Sequence, residues 1–231
     1  MLRIEGLSVR LGDFSLAADF QVEQGRIIAV VGPSGAGKST LMAVIAGFVA
    51  PDAGRVFWQD QDIGALPPGK RPLSMLFQDQ NLFPHLTVWQ NLALGLDGGM
   101  RPGEEQRRRM AEVLQRTGLK GLADRKPAAL SGGQQSRAAL ARALLRARPL
   151  LILDEPFAAL GPGLRAEMLS LVHETAQESG LTVLMVTHDP KDAAAIADET
   201  LLVADGRAHA PRPTAALFAD PPPALAEYLG R

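Results

Sequence analysis

At 231 residues the chain has room for one compact α/β domain, or for a core carrying one subdomain, and not for two complete cores. A hydrophobic share of 46% without any run near the roughly 18 apolar residues of a membrane span, and the absence of cysteine, argue against a transmembrane helix and against a disulfide or thiolate scaffold. Charges scattered through residues 1–14 argue against an export signal, and a formal net charge of −1 argues against a general nucleic-acid binder, which needs an excess of Lys and Arg.

Residues 1–31 alternate apolar and polar side chains in two or three short strands, ending in an uninterrupted apolar run of the kind buried on both faces of a sheet. A glycine-rich turn follows. Leu41, Met42, Val44, Ile45 and Phe48 then recur at helical spacing over residues 38–48, and Pro51 to Gly54 lead into a strand over 55–58. From about residue 79 to 148 the pattern is mostly helical. Residues 98–103 predict a loop, and residues 104–117 an amphipathic helix with Met110, Val113 and Leu114 inward and Arg107, Arg108 and Arg109 on a solvated face. Three apolar stretches at 150–153, 181–186 and 201–203, alternating with helical segments, predict a mainly parallel sheet. Prolines at 211, 213, 221, 222 and 223 punctuate the tail and leave room for only a short helix over 215–218.

Gly32, Pro33, Ser34, Gly35, Ala36, Gly37, Lys38, Ser39 and Thr40 fit the phosphate loop G-x-x-x-x-G-K-[ST], between a strand and a helix as its mechanism requires. Gly35 and Gly37 let the backbone curl so that N–H groups converge on phosphate oxygens, with the field of the helix N-terminus behind them. Lys38 supplies a mobile charge for β and γ phosphates, and the Ser39 hydroxyl suits Mg²⁺. The competing reading, a chance glycine-rich turn, lacks a reason for the flanking strand and helix. Asp154 and Glu155 close the apolar strand over 150–153, where ligands gather in open α/β sheets. Asp154 would join the Mg²⁺ shell, and Glu155 would take a proton from the attacking water. Alone the pair reads equally well as a helix cap. Ser131, Gly132, Gly133 and Gln134 open a helical pattern, as a second anion site or as a plain cap.

The run Leu130-Ser-Gly-Gly-Gln134 decides, because with the phosphate loop, Gln78, Leu150-Leu-Ile-Leu-Asp-Glu-Pro156 and His188 it falls in the order of the ABC ATPase family, which the chain resembles over essentially its whole length. The resemblance implies a P-loop NTPase α/β core with a mainly parallel sheet, an N-terminal antiparallel β subdomain, and a helical subdomain at about 79–148 inserted in a single nucleotide-binding domain over 1–231. It implies ATP and Mg²⁺ as ligands. It also implies a homodimer in which Ser131, Gly132, Gly133 and Gln134 of one subunit close on the ATP held by the phosphate loop of the other. Gln78 then becomes the glutamine that senses Mg²⁺ and the water, and His188 the switch histidine that holds the γ phosphate and orients Glu155. Taken singly, a His after a strand reads as a surface or capping residue.

Two positions depart from the family pattern. Leu11 stands where an aromatic ring usually stacks on adenine, leaving nearby Phe14 as the substitute, and Gly161 stands where an Asp usually couples the two sites of the dimer. The second departure implies slower or less coupled hydrolysis. Residues 70–78 and 81–88 are similar to segments of bacterial nutrient importers, and the pattern as a whole looks most like the ATPases that drive uptake of thiamine or its phosphates. ATPases of iron, polyamine and sulfate importers are the alternative. The likeness implies transmembrane permease subunits as partners, indirectly a periplasmic substrate-binding protein, no nucleic acid, and a peripheral place on the cytoplasmic face of a bacterial inner membrane. Phe83, Leu86 and Trp89 are candidates for the permease interface or, equally, for the core of the helical subdomain. A soluble ABC ATPase acting on DNA or ribosomes would join two cassettes or insert a coiled coil, and a nucleotide switch that hardly hydrolyses draws support only from Gly161.

Overall fold

The computed structural model describes residues 1–77, 82–96, 101–158 and 160–230. Strands β1 (Leu2–Leu11), β2 (Phe14–Val22) and β3 (Ile27–Val31) precede helix α1 (Lys38–Ala46), and β4 (Ala53–Trp58), β5 (Gln61–Asp62) and β6 (Leu73–Leu76) follow it. Helices α2 (Val88–Ala93), α3 (Glu104–Arg116) and α4 (Gly132–Leu145) lead to β7 (Leu150–Asp154), α5 (Pro162–Ser179), β8 (Thr182–Val186), α6 (Pro190–Ile196) and β9 (Glu199–Ala204). Then come β10 (Arg207–Ala208), β11 (Arg212–Pro213), α7 (Thr214–Ala219) and α8 (Pro223–Tyr228).

Strands β9, β3, β8, β7 and β6 lie side by side and parallel. Every residue of β3, β7 and β8 is buried, as uninterrupted apolar runs require when helices cover both faces. β1 pairs antiparallel with β2 and β4, and β4 with β5, so the expected antiparallel portion is present. The two-residue β10 joins it to the parallel strands, running antiparallel to β9 and parallel to β2. Helices α2, α3 and α4, inserted between β6 and β7, bury their own apolar cluster of Val88, Leu92, Met110, Leu114, Leu119, Leu130 and Leu145.

Parallel strands end on the same side, and this is what builds the site. Val30 of β3 pairs with Val186 of β8, which pairs with Asp154 of β7. The segments that follow β3, β7 and β8 therefore emerge together at one carboxyl edge.

The structure corrects the sequence expectations in three places. Helix α1 stops at Ala46, because Gly47 takes the left-handed cap (φ 86°) and leaves Phe48 outside, 55% exposed. The run Arg107–Arg109 is not wholly a solvated face: Arg109 is half-buried and donates to the Leu145 carbonyl at 3.4 Å. The tail holds a second short helix, α8, because Pro at the first helical position starts a helix as readily as it stops one.

Candidate nucleotide site

The turn after β3 is shaped by close approaches. A Cβ at Gly32 would lie 2.0 Å from the Val203 carbonyl oxygen, and one at Gly37 would lie 2.5 Å from Cζ of Phe14, so neither position accepts a side chain without movement. Gly35 (φ 77°) and Gly37 (φ 101°) take left-handed backbone, which curls the loop ahead of α1. Lys38 is buried and its Nζ donates to the carbonyls of Gly32 and Pro33, each at 2.8 Å. Burial lowers the pKa of its ammonium, opposed by the carboxylates of Glu155 and Asp154.

Ser39, on the first turn of α1, donates from Oγ to Oδ1 of Asp154 at 3.1 Å. Burial raises the pKa of the Asp154 carboxyl and neighbouring Glu155 adds to the rise, while the Ser39 hydrogen bond and Lys38 oppose it. A carboxylate held dry beside a hydroxyl is a fragment of an oxygen shell, suited to a hard cation that keeps its other positions for phosphate and water oxygens. Among the described residues no group of three or more His, Cys, Asp or Glu offers a competing metal cage. The donor set therefore fits Mg²⁺ and does not resemble a zinc site.

Glu155 stands in left-handed backbone (φ 45°), a strained place for any residue with a Cβ, and its N–H donates to the Val186 carbonyl at 3.2 Å. The carboxylate thereby turns from the end of β7 towards the segment after β8. There, Nδ1 of His188 lies 3.6 Å from Oε2 of Glu155. That segment is pinned by its neighbours: the Thr187 N–H donates to the Val30 carbonyl, the Thr187 hydroxyl to Asp192 Oδ2 at 2.7 Å, and Asp189 caps α6 by accepting from the Lys191 N–H. Arg165 of α5 pairs with both Asp189 and Asp192.

These groups border a cavity of about 540 Å³ lined by Gly32, Ser34, Gly35, Gly37, Lys38, Ser39, Thr40, Glu155, His188 and Tyr228. The structure thus brings together Lys38, Ser39, Asp154, Glu155 and His188. It does not bring Ser131, Gly132, Gly133 or Gln134 to this cavity: Ser131 caps α4, accepting from the Gln134 N–H while the Gln134 side chain accepts from the Ser131 N–H, and both Ser131 and Gly132 are exposed. Phe14 packs on the flank of the loop at Gly37 and is not among the cavity's lining residues, and Leu11 is 47% exposed. Gln78 lies outside the described residues. Of the candidates in the helical segment, Trp89 packs on the apolar cluster of α2–α4, whereas Phe83 is 45% exposed beside a hollow of about 250 Å³ that it shares with Met75, Phe77, Leu94 and Arg142.

Sequence reasoning missed Tyr228, Arg165 and Asp192. Tyr228 had a signal: it is the chain's one tyrosine, and Leu225, Tyr228 and Leu229 stand at i, i+3 and i+4 after a run of prolines. Arg165 and Asp192 had none, since the pair closes only when α5 and α6 pack.

Residues 17–158 match the ABC transporter family. The thiamine import ATP-binding protein of Cereibacter sphaeroides is 64% identical over 230 residues, covering 100% of each chain, and that of Yersinia pseudotuberculosis is 49% identical, covering 100% of this chain and 97% of its own. Among solved structures, the dimeric bacterial ABC transporter cassette MJ0796 is similar at 29% identity and a TM-score of 0.82, covering 93% of this chain and 99% of that one. The ADP conformation of the cassette MJ1267 is similar at 29% identity and a TM-score of 0.87, covering 100% and 99%.

Proposed function

The chain belongs to the ABC transporter ATP-binding family, and from that premise we propose that it hydrolyses ATP to drive import of thiamine or thiamine phosphates into a bacterial cell. The chemistry is carried by one observation, the convergence of Lys38, Ser39, Asp154, Glu155 and His188 at the carboxyl edge of β3, β7 and β8. The choice of thiamine is supported by full-length likeness to thiamine import ATP-binding proteins, at 64% identity for one of them.

ATP binds with its phosphates along the loop over residues 32–40, its charge met by backbone N–H groups, the α1 N-terminus and Lys38. Ser39 and Asp154 would hold Mg²⁺, which would neutralise charge on the phosphate oxygens. Glu155 accepts the proton of the attacking water, and His188 holds the γ phosphate and fixes the Glu155 carboxylate from 3.6 Å. Gln78 would take the family role of sensing the attacking water and Mg²⁺. Phe14 takes the adenine side. Ser131, Gly132, Gly133 and Gln134 act on the ATP of a second copy, consistent with their separation from the cavity of their own chain, so the working unit is a homodimer with two composite sites.

No helix among the described residues is long and apolar enough to cross a membrane; the partnership with transmembrane permease subunits is supported by the likeness to import ATP-binding proteins. The exposed Phe83 and the hollow beside it receive a cytoplasmic segment of that permease, which holds the chain on the cytoplasmic face of the membrane, while a periplasmic substrate-binding protein acts through the permease. The helical segment at about 79–148 is then the part of a single nucleotide-binding domain that relays the signal. Replacing Lys38 with Ala tests the reading: uptake of labelled thiamine by cells should vanish at unchanged abundance of the chain, and persistent ATP-driven uptake would contradict it.

A further inference from the structure

The tail carries a feature that the nucleotide chemistry above does not use. The Tyr228 hydroxyl, at the end of α8, donates to the His188 carbonyl at 2.6 Å, and the Tyr228 side chain borders the phosphate cavity. We propose that Tyr228 is a positioning residue for hydrolysis, a strut by which the C-terminal helix sets the His188 peptide against the γ phosphate.

The strut has a firm base. Leu225 is fully buried, in a cluster with Ala29 and Val31 of β3, Ala193 of α6 and Leu202 of β9, and Tyr228 and Leu229 pack on the same cluster. Helix α8 therefore rests on the strand that feeds the phosphate loop and on the helix that follows His188. Its terminal hydroxyl ties the two together at the His188–Asp189 peptide, holding the carbonyl of a unit whose N–H is held by the Thr187 hydroxyl. The Thr187 N–H is held by Val30, and the Asp189 N–H by the Thr187 hydroxyl, yet the His188 carbonyl finds its partner in Tyr228. The His188 side chain is about half exposed, so its direction depends on the backbone beneath it and little on packing. Burial raises the pKa of the Tyr228 phenol, and nearby Asp189 and Glu155 add to the rise, which keeps the proton that the bond requires.

A strut at the His188 peptide predicts a selective defect. His188 acts on the γ phosphate, which ADP lacks, so loss of the phenol should weaken the handling of ATP and leave ADP untouched. The proposal rests on the ATPase reading, and the full-length wild-type chain is assayed first: if it does not hydrolyse ATP, that reading fails before the strut is tested. With an active wild type, Tyr228→Phe keeps the ring in its cluster and removes only the hydroxyl. Its kcat/KM for ATP should fall about fivefold, and its affinity for a non-hydrolysable ATP analogue should fall while the ADP inhibition constant stays within about twofold. In the His188→Ala background, adding Tyr228→Phe should cause no further loss of analogue affinity. A Tyr228→Phe variant with wild-type kcat/KM would overturn the proposal. So would an equal loss of ADP and analogue affinity, or a full second loss on His188→Ala, because either would make the tail a general prop for the fold.

Discussion

Nδ1 of His188 stands 3.6 Å from Oε2 of Glu155, although the two residues leave different strands more than thirty positions apart in the chain. The parallel register of β7 and β8 brings Asp154 level with Val186, and the left-handed turn at Glu155 closes the remaining gap. In the proposed mechanism these two are the base and the group that orients it, and their separation is set by the sheet register.

Glu155→Gln keeps the size of the side chain and removes its capacity to accept a proton. Turnover should fall at least about a hundredfold, with ATP still bound. Size-exclusion chromatography with ATP and Mg²⁺ should then reveal a dimer that accumulates in the variant and not in the wild type.

The buried Asp154 carboxylate costs stability at neutral pH. Burial raises its folded pKa above the ordinary carboxylate value, so the folded state takes up a proton more readily than the unfolded state. Stability from this group is therefore present at low pH and is lost as pH rises from the unfolded value through the raised folded one. In metal-free buffer at neutral pH, Asp154→Asn should melt at a higher temperature than wild type, and the gap should close as the pH is lowered through that window. Its Mg²⁺-dependent ATPase should be abolished. A lower melting temperature at neutral pH would show that the carboxylate is stabilising after all.

Asn91 is fully buried and clamps the loop before α2: its Oδ1 accepts from the Phe83 N–H, and its Nδ2 donates to the carbonyls of Phe83, Leu86 and Thr87. Asn91→Ala should cost about 2 kcal/mol in denaturant unfolding, because it strands those groups. Phe83→Ala, at an exposed position, should leave stability and basal ATPase near wild type and weaken co-purification with the permease. Loss of solubility in Phe83→Ala would assign the ring to the helical core instead.

Gly161 caps α5 without a side-chain hydrogen bond, at φ −65° and ψ 158°, and a Cβ there would meet nothing within 4 Å. Asp fits this backbone and can bond the first turn of the helix, so Gly161→Asp should stabilise the chain by about 0.3 kcal/mol. It should also raise the Hill coefficient for ATP. Unchanged rate and cooperativity would mean that glycine here does not loosen the coupling between sites.

The legible parts of this protein were those written in local patterns. The buried strands over 150–154 and 182–186, the phosphate loop and the capping box at Ser131 depend on neighbours within a few residues, and each could be read from residue order. The 2-residue strand β10, which ties the antiparallel portion to the parallel one, carries no such pattern. The Arg165 contacts with Asp189 and Asp192 arise from helix packing, and Tyr228 reaches His188 across forty positions of sequence. The prolines before α8 hid it, since the same residue that breaks a helix interior is favoured at its start.

ATPase activity of the chain reconstituted in liposomes with its permease and binding protein, with thiamine, iron or a polyamine supplied in turn, tests the thiamine-import function most directly. Stimulation by thiamine alone, abolished by Glu155→Gln, is the predicted result. Stimulation by iron or a polyamine without any response to thiamine would contradict it.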